Sequence, residues 1–204
     1  MNITIIGTDY QALAYAAILA SYCNDVICLG DEKLRIADYK HGFFNTDDQQ
    51  LDTLLKENLE HIRFTTNAKD AIRPNKIVIL TLTSPDEQLF KTNLDIVLQN
   101  LSRHSIQDTY LIVLSVIPQG TYEYISSVLK NSPMKFHIIY APIASKDARV
   151  LYLLKLSRMH VGVSNDDDMN VFKHVVSQYM KEKVQYHWDT APNIEKLFSK
   201  KSIE

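Results

Sequence analysis

Asn2-Ile3-Thr4-Ile5-Ile6-Gly7-Thr8-Asp9-Tyr10-Gln11-Ala12-Leu13 is a β-branched run that stops at a glycine and passes into a stretch, Tyr10 to Tyr22, rich in alanine and leucine. That order describes a buried strand entering a helix. Working outward, Asp25-Val26-Ile27-Cys28-Leu29 is a second apolar strand closed by Gly30-Asp31, and Ile77 to Leu82 and Tyr110 to Leu114 repeat the pattern. Helical segments are expected at Leu51 to Leu59, Asn93 to Arg103 and Thr121 to Lys130. Further on come strands at Phe136 to Tyr140 and around His160 to Val163. A helix from about Asp167 to Lys181, capped by Asn165 or Asp166, and a strand at Val184 to His187 follow. Near-continuous apolar strands separated by helices predict an α/β domain with a doubly wound, mainly parallel sheet and helices on both faces.

Composition narrows the function classes. The 204 residues carry 22 basic and 24 acidic side chains, a formal net charge of −2. Such a balance gives no field for steering onto nucleic acid, so no nucleic-acid partner is expected. No apolar run approaches the roughly 20 residues needed to cross a bilayer, and the first residues lack a signal-peptide pattern. No membrane partner is therefore expected, and a cytoplasmic location is. The two cysteines, Cys23 and Cys28, are too few for a disulfide framework and are read as small apolar residues. Seven single histidines form no H-x-x-x-H or H-E-x-x-H pair, so no metal is expected. Asp166-Asp167-Asp168 lies between a strand and a helix and reads as a capping and helix-dipole element.

In doubly wound folds the first strand-to-helix turn holds a pyrophosphate at a helix N-terminus, with the fingerprint G-x-G-x-x-G/A. Here the turn is Gly7-Thr8-Asp9-Tyr10-Gln11-Ala12. The first glycine is present and alanine is an accepted third member, but Asp9 stands where a missing side chain lets the backbone touch the phosphates. A carboxylate repels a phosphate by about 1 kcal/mol for unit charges ~4 Å apart in water, and about 4 kcal/mol at an effective dielectric of 20. Dinucleotide binding is expected to be weakened unless Asp9 turns away. The acidic residue that meets the ribose at the end of the second strand is missing too: Gly30 occupies the place and Asp31 follows it. Asp31 is either a substitute ribose contact or a helix N-cap before Glu32.

Over nearly its full length the sequence resembles the N-terminal NAD-binding domain of the UDP-glucose/GDP-mannose dehydrogenase family. Ile5-Ile6-Gly7-Thr8-Asp9-Tyr10-Gln11-Ala12-Leu13 resembles the family's I-I-G-x-G-Y-V-G-L, and Asn24-Asp25-Val26-Ile27-Cys28 its G-H-D-V-x-x. Leu54-Leu55-Lys56-Glu57-Asn58 with Arg63-Phe64-Thr65-Thr66-Asn67 resembles L-L-x-x-x … R-F-T-T-D. Ser115-Val116-Ile117-Pro118-Gln119-Gly120-Thr121 is similar to S-T-V-P-P-G-T, and Arg158-Met159-His160-Val161-Gly162 to R-I-V-I-G. The resemblance implies a Rossmann-like domain over residues 1–190, followed at 191–204 by the start of a truncated central helix. It also implies NAD as cofactor and oxidation of a nucleotide-sugar alcohol to the uronic acid, the precursor supply for polysaccharides. The cofactor contacts it implies are Gly7, Thr8, Asp9, Tyr10, Gln11, Ala12, Asp31, Ser84, Pro85, Ser115, Val116 and Pro118.

Several positions depart from the family pattern. Val116 replaces the threonine of S-T-V-P on the nicotinamide side, and Ile143 stands in Ala141-Pro142-Ile143 where the family has a glutamate. An aliphatic side chain takes no part in proton transfer. Lys196, in Glu195-Lys196-Leu197-Phe198, matches the family lysine, but is read first as part of a solvated helix end with Lys200 and Lys201. The family's nucleophilic cysteine belongs to a later domain, and neither Cys23 nor Cys28 maps to it. The expectation is a catalytically incomplete domain whose NAD binding is weak or lost. Two alternatives stand beside it, a non-enzymatic interaction or regulatory module and one half of a split dehydrogenase completed by a separate catalytic-domain chain. Leu151-Tyr152-Leu153-Leu154 with Ile194, Leu197 and Phe198 either forms a patch for homodimerisation or packs on the sheet.

Overall fold

A computed structural model describes residues 1–84, 86–143, 153, 156–178 and 184–199. The chain begins with β1 (Asn2–Ile6), α1 (Tyr10–Ala20), β2 (Asp25–Leu29), α2 (Lys33–Lys40) and α3 (Gln49–Glu57). A 3-10 turn (Leu59–His61) leads to β3 (Ile62–Thr65), α4 (Ala68–Ile72), β4 (Ile77–Leu80), α5 (Glu87–His104) and β5 (Thr109–Val113). Then come α6 (Thr121–Leu129), β6 (Phe136–Tyr140), β7 (Arg158–Gly162), α7 (Asp166–Ser177), β8 (Gln185–Asp189) and α8 (Ala191–Ser199).

The strands form one sheet in the order β3-β2-β1-β4-β5-β6-β7-β8. Every neighbouring pair is parallel except β6 and β7, which meet antiparallel at a single register pair, Tyr140 with Gly162. The strand order reverses direction at β1 and β4, and the carboxyl ends of those two strands therefore open a crevice.

Burial follows the alternation of side chains across each strand. Ile3 and Ile5 join Leu13, Phe64 and Phe172 in a core on the face covered by α1, α3 and α7. Ile6 points the other way and joins Leu80, Leu94, Leu111 and Tyr140 under α4, α5, α6 and α8. Helix α1 is buried from Ala12 to Ala20, because it lies between the sheet and α3. A helix segment enclosed between two layers has no polar face to present, which is why the sequence is apolar from Ala12 to Ala20. Helix α5 shows the opposite arrangement: Phe90, Leu94, Leu98 and Leu101 form its buried stripe, and Asp86 caps its start by accepting from Leu89 N–H at 2.6 Å.

The structure adds β3, α2 and α4 to the elements legible by periodicity, and starts α5 at Glu87 instead of Asn93. It also corrects the capping role of Asp31. The N-cap position of α2 is Glu32, and its side chain makes no capping hydrogen bond. Asn165 is the side chain that caps α7, accepting from Asp168 N–H at 2.9 Å. Asp168 does more than complement a helix dipole. It is buried, and it accepts from Nδ1 of His137 on β6 at 2.7 Å. Ile194 and Phe198 are buried in the core beneath α8, so these two pack on the sheet, while Leu197 is 39% exposed. Leu153 is buried as well, and Leu151, Tyr152 and Leu154 lie outside the described residues.

Candidate functional site

The crevice at the carboxyl ends of β1, β2 and β4 is a cleft of about 610 Å³, within the range typical of small-molecule sites. Its floor is the β1–α1 turn. Gly7 has a φ of +137°, and a Cβ there would lie 2.3 Å from the Thr81 hydroxyl and 2.5 Å from the Thr81 carbonyl oxygen. No other residue fits between this turn and β4.

Asp9 does not turn away from the cleft. It is the N-cap of α1, and its Oδ1 accepts from Ala12 N–H at 2.8 Å. The same oxygen accepts from the Thr81 hydroxyl at 3.2 Å, and Oδ2 accepts from the Thr83 hydroxyl at 2.9 Å. Thr81 and Thr83 follow directly on β4, so the carboxylate bridges the two strands that frame the crevice. It stands at the end of a helix dipole whose N–H groups, in this fold, otherwise receive a phosphate.

The second departure has a steric explanation. A Cβ on Gly30 would lie 2.4 Å from Cγ2 of Thr8 and 3.0 Å from Cδ1 of Ile36. Thr8 fills the space that a side chain at position 30 would need. Asp31, Glu32, Lys33 and Arg35 line the same end of the cleft, with Arg35 3.2 Å from Glu32. The opposite wall is one stripe of α5, Asn93, Ile96, Val97 and Asn100, spaced as neighbours on a helix face.

Of the residues expected to hold a cofactor, the structure gathers Gly7, Thr8, Asp9 and Asp31 around the cleft. Ala12 lies buried beneath the turn, and Gln11 is half-buried on α1 outside the lining. The Tyr10 hydroxyl donates to Asp48 at 2.5 Å, which directs that side chain toward the start of α3. Ser84 donates to the Asp86 carbonyl at 3.0 Å, and Pro85 lies outside the described residues. Ser115 is buried and accepts from Leu82 N–H at 2.6 Å, tying the β4 and β5 ends together, while Val116 and Pro118 are exposed beyond them. None of these four described residues, Ser84, Ser115, Val116 and Pro118, lines the cleft. Residues that sequence reasoning missed are Thr81 and Thr83, whose contacts with Asp9 span 72 and 74 positions, and the α5 stripe. The stripe had a readable signal in its i, i+3, i+4, i+7 spacing.

The remaining chemistry-bearing candidates sit elsewhere. Ile143 is half-buried against the α1-side core. Lys196 is exposed on α8, which packs on β6, β7 and α6. Cys28 is buried in β2, where desolvation pushes its thiol well above the usual range, and Cys23 is exposed. Among the described residues no three His, Cys, Asp or Glu side chains converge on a point, and no helix is long and apolar enough to cross a membrane.

The sequence profile of the UDP-glucose/GDP-mannose dehydrogenase family, NAD binding domain, matches residues 1–180. A UDP-glucose 6-dehydrogenase of Rickettsia typhi is 24% identical over 192 residues, which is 91% of this chain and 44% of the relative. The Bacillus subtilis UDP-glucose 6-dehydrogenase YwqF is 20% identical over 86% of this chain and 42% of its own length. The chain thus spans less than half the length of these curated relatives. Among solved structures, a GDP-mannose dehydrogenase of Pseudomonas aeruginosa superposes with a TM-score of 0.86 at 15% identity, covering 100% of this chain and 49% of that one. A UDP-D-ManNAc dehydrogenase of Pyrococcus horikoshii gives 0.82 at 20% identity, covering 97% and 49%. These structural likenesses show a Rossmann-like fold.

Proposed function

Because this chain belongs to the UDP-glucose/GDP-mannose dehydrogenase family, through the NAD-binding domain of that family, we propose that its cleft is the dinucleotide site, held in a weakened form. Gly7, the apolar wall of α5 and the cleft volume fit the nucleoside part of NAD. The pyrophosphate is disfavoured, because the Asp9 carboxylate takes the Ala12 amide at the start of α1, is held there by the Thr81 and Thr83 hydroxyls, and puts a negative charge where a phosphate would sit. That arrangement is the observation on which the reading rests. Ile143 and Val116 carry no proton-transferring group and Cys28 is buried and protonated, so these positions supply no acid, base or nucleophile for chemistry on a nucleotide sugar.

Calorimetric titration with NAD and NADH tests the proposal. Saturation is expected only at millimolar ligand, and Asp9→Gly is expected to tighten binding tenfold or more. Micromolar binding by the unaltered protein would overturn it. A second reading, an interaction or regulatory module on the same scaffold, is supported by the mutual fit of Thr8 and Gly30, which leaves no room for the family's ribose contact. It predicts no nucleotide binding in either protein. A catalytic-domain partner chain, the third reading, would co-purify from the native cell.

A further inference from the structure

Among the described residues Asp9 is held by neutral donors, an amide and two threonine hydroxyls. Among the described residues no lysine, arginine or histidine forms an ion pair with it. Its formal negative charge is thus oriented and hydrogen-bonded but not neutralised. Nearby, Asp31 and Glu32 add two carboxylates against Lys33 and Arg35, and Arg35 is already paired with Glu32. The cleft therefore has a negative balance where dinucleotide clefts of this fold present bare N–H groups to an anion.

The rest of the cleft keeps the character of a nucleoside site. Ile96 is 53% exposed on the cleft face of α5, with Val97 beside it and Leu29 at the end of β2. An exposed apolar side chain on one wall of a concave site is what a flat aromatic base covers. Asn93 and Asn100, roughly one turn to either side of Ile96 and Val97, each offer both a donor and an acceptor to the edge of a base.

We propose that the cleft takes a nucleoside whose 5′ end is neutral or cationic, and that Asp9 is the residue that selects against phosphorylated forms. This deepens the reading of the cleft as a weakened dinucleotide site and rests on it. Selection follows from charge: a neutral 5′ hydroxyl meets no repulsion, a 5′ ammonium is attracted, and each added phosphate raises the repulsion in a crevice where water screens less than in bulk. No covalent step is involved.

The test uses the full chain and five probes, adenosine, 5′-amino-5′-deoxyadenosine, AMP, ADP and NAD, titrated by NMR chemical shift into the unaltered protein and Asp9→Asn. The asparagine keeps an oxygen that can cap α1 while removing the charge. In the unaltered protein the amino nucleoside is expected to bind best, adenosine next, and ADP and NAD at least tenfold more weakly than adenosine. In Asp9→Asn the AMP and ADP affinities are expected to rise tenfold, the amino nucleoside to lose its advantage, and adenosine to stay within twofold. Ile96→Glu is expected to abolish adenosine binding.

Weak NAD binding with ADP equal to or tighter than adenosine would overturn the selection while leaving the weakened site intact. Micromolar NAD binding, or shifts with none of the five probes, would overturn the underlying reading as well. If Asp9→Asn fails to fold, the order of affinities in the unaltered protein decides alone.

Discussion

Thr8 and Gly30 occupy one space between them, and this pairing makes a specific demand on any attempt to rebuild a ribose contact. Gly30→Asp by itself places a Cβ 2.4 Å from the Thr8 methyl, so it should destabilise the fold by about 1–3 kcal/mol, as overpacking does. With Thr8→Ala the clash is relieved, and the two substitutions together should cost less than their sum. Urea denaturation of the two single variants and the double measures that coupling. Strict additivity would show that the two side chains do not compete. Asp9 gives a second residue-scale expectation: Asp9→Ala removes the cap of α1 and two long-range hydroxyl contacts, lowering stability by about 0.5–2 kcal/mol in the same assay. An unchanged midpoint would argue against the bridge.

At the scale of elements, α8 is fixed by a carboxylate at another helix start. Glu195 is buried, and its two oxygens accept from Gly120 N–H at 2.8 Å and Tyr122 N–H at 2.9 Å, at the start of α6. Gly120, with φ +85°, allows the chain to turn into that helix. Glu195→Ala leaves two amides without their acceptor and should cost about 1–3 kcal/mol; Glu195→Gln should recover part of the loss. Tyr140 lies on the same side of the sheet, and burial pushes its phenol from 10.0 up to about 12, helped by Glu195 and opposed by the hydrogen bond from Ile117 N–H. The native state therefore holds the proton more firmly than the unfolded chain. This contribution is complete below pH 10 and is lost as pH rises toward 12, so Tyr140→Phe should flatten the alkaline limb of a stability profile.

Legibility in the sequence divides along the same scale. The β1 turn and α1 are readable because their pattern is local and continuous. Strand β3 escapes such a reading because Ile62–Thr65 is only 4 residues, with Arg63 outward, and α4 because its 5 residues are too few to show a period. Asp9 stands out in the sequence, but its orientation does not, since it is decided by hydroxyls more than 70 positions away that no local pattern connects to it.

For the molecule as a whole, the seam between β6 and β7 sets the remaining expectation. Strands β1 to β6 are joined by continuous ladders, whereas β6 meets β7 through one register pair. The His137–Asp168 contact, the Glu195 hydrogen bonds to Gly120 and Tyr122, and the burial of Phe172, Ile194 and Phe198 add to the attachment through side chains and helices instead of strand pairing. Close approach matters too: a Cβ on Gly162 would lie 2.4 Å from the Ala191 Cα, so β7 and α8 are in direct backbone contact. A sheet assembled in this way contains a zipper with a single tooth at one position. Amide hydrogen exchange should find β7, β8 and α8 opening together, at lower free energy than the slowest amides of β1, β4 and β5. The protein's one tryptophan, Trp188, is 52% exposed on β8 and gives that segment its own optical reporter. Its emission would follow the seam's separation, and circular dichroism the rest of the sheet, so that two probes of one protein would melt at different temperatures.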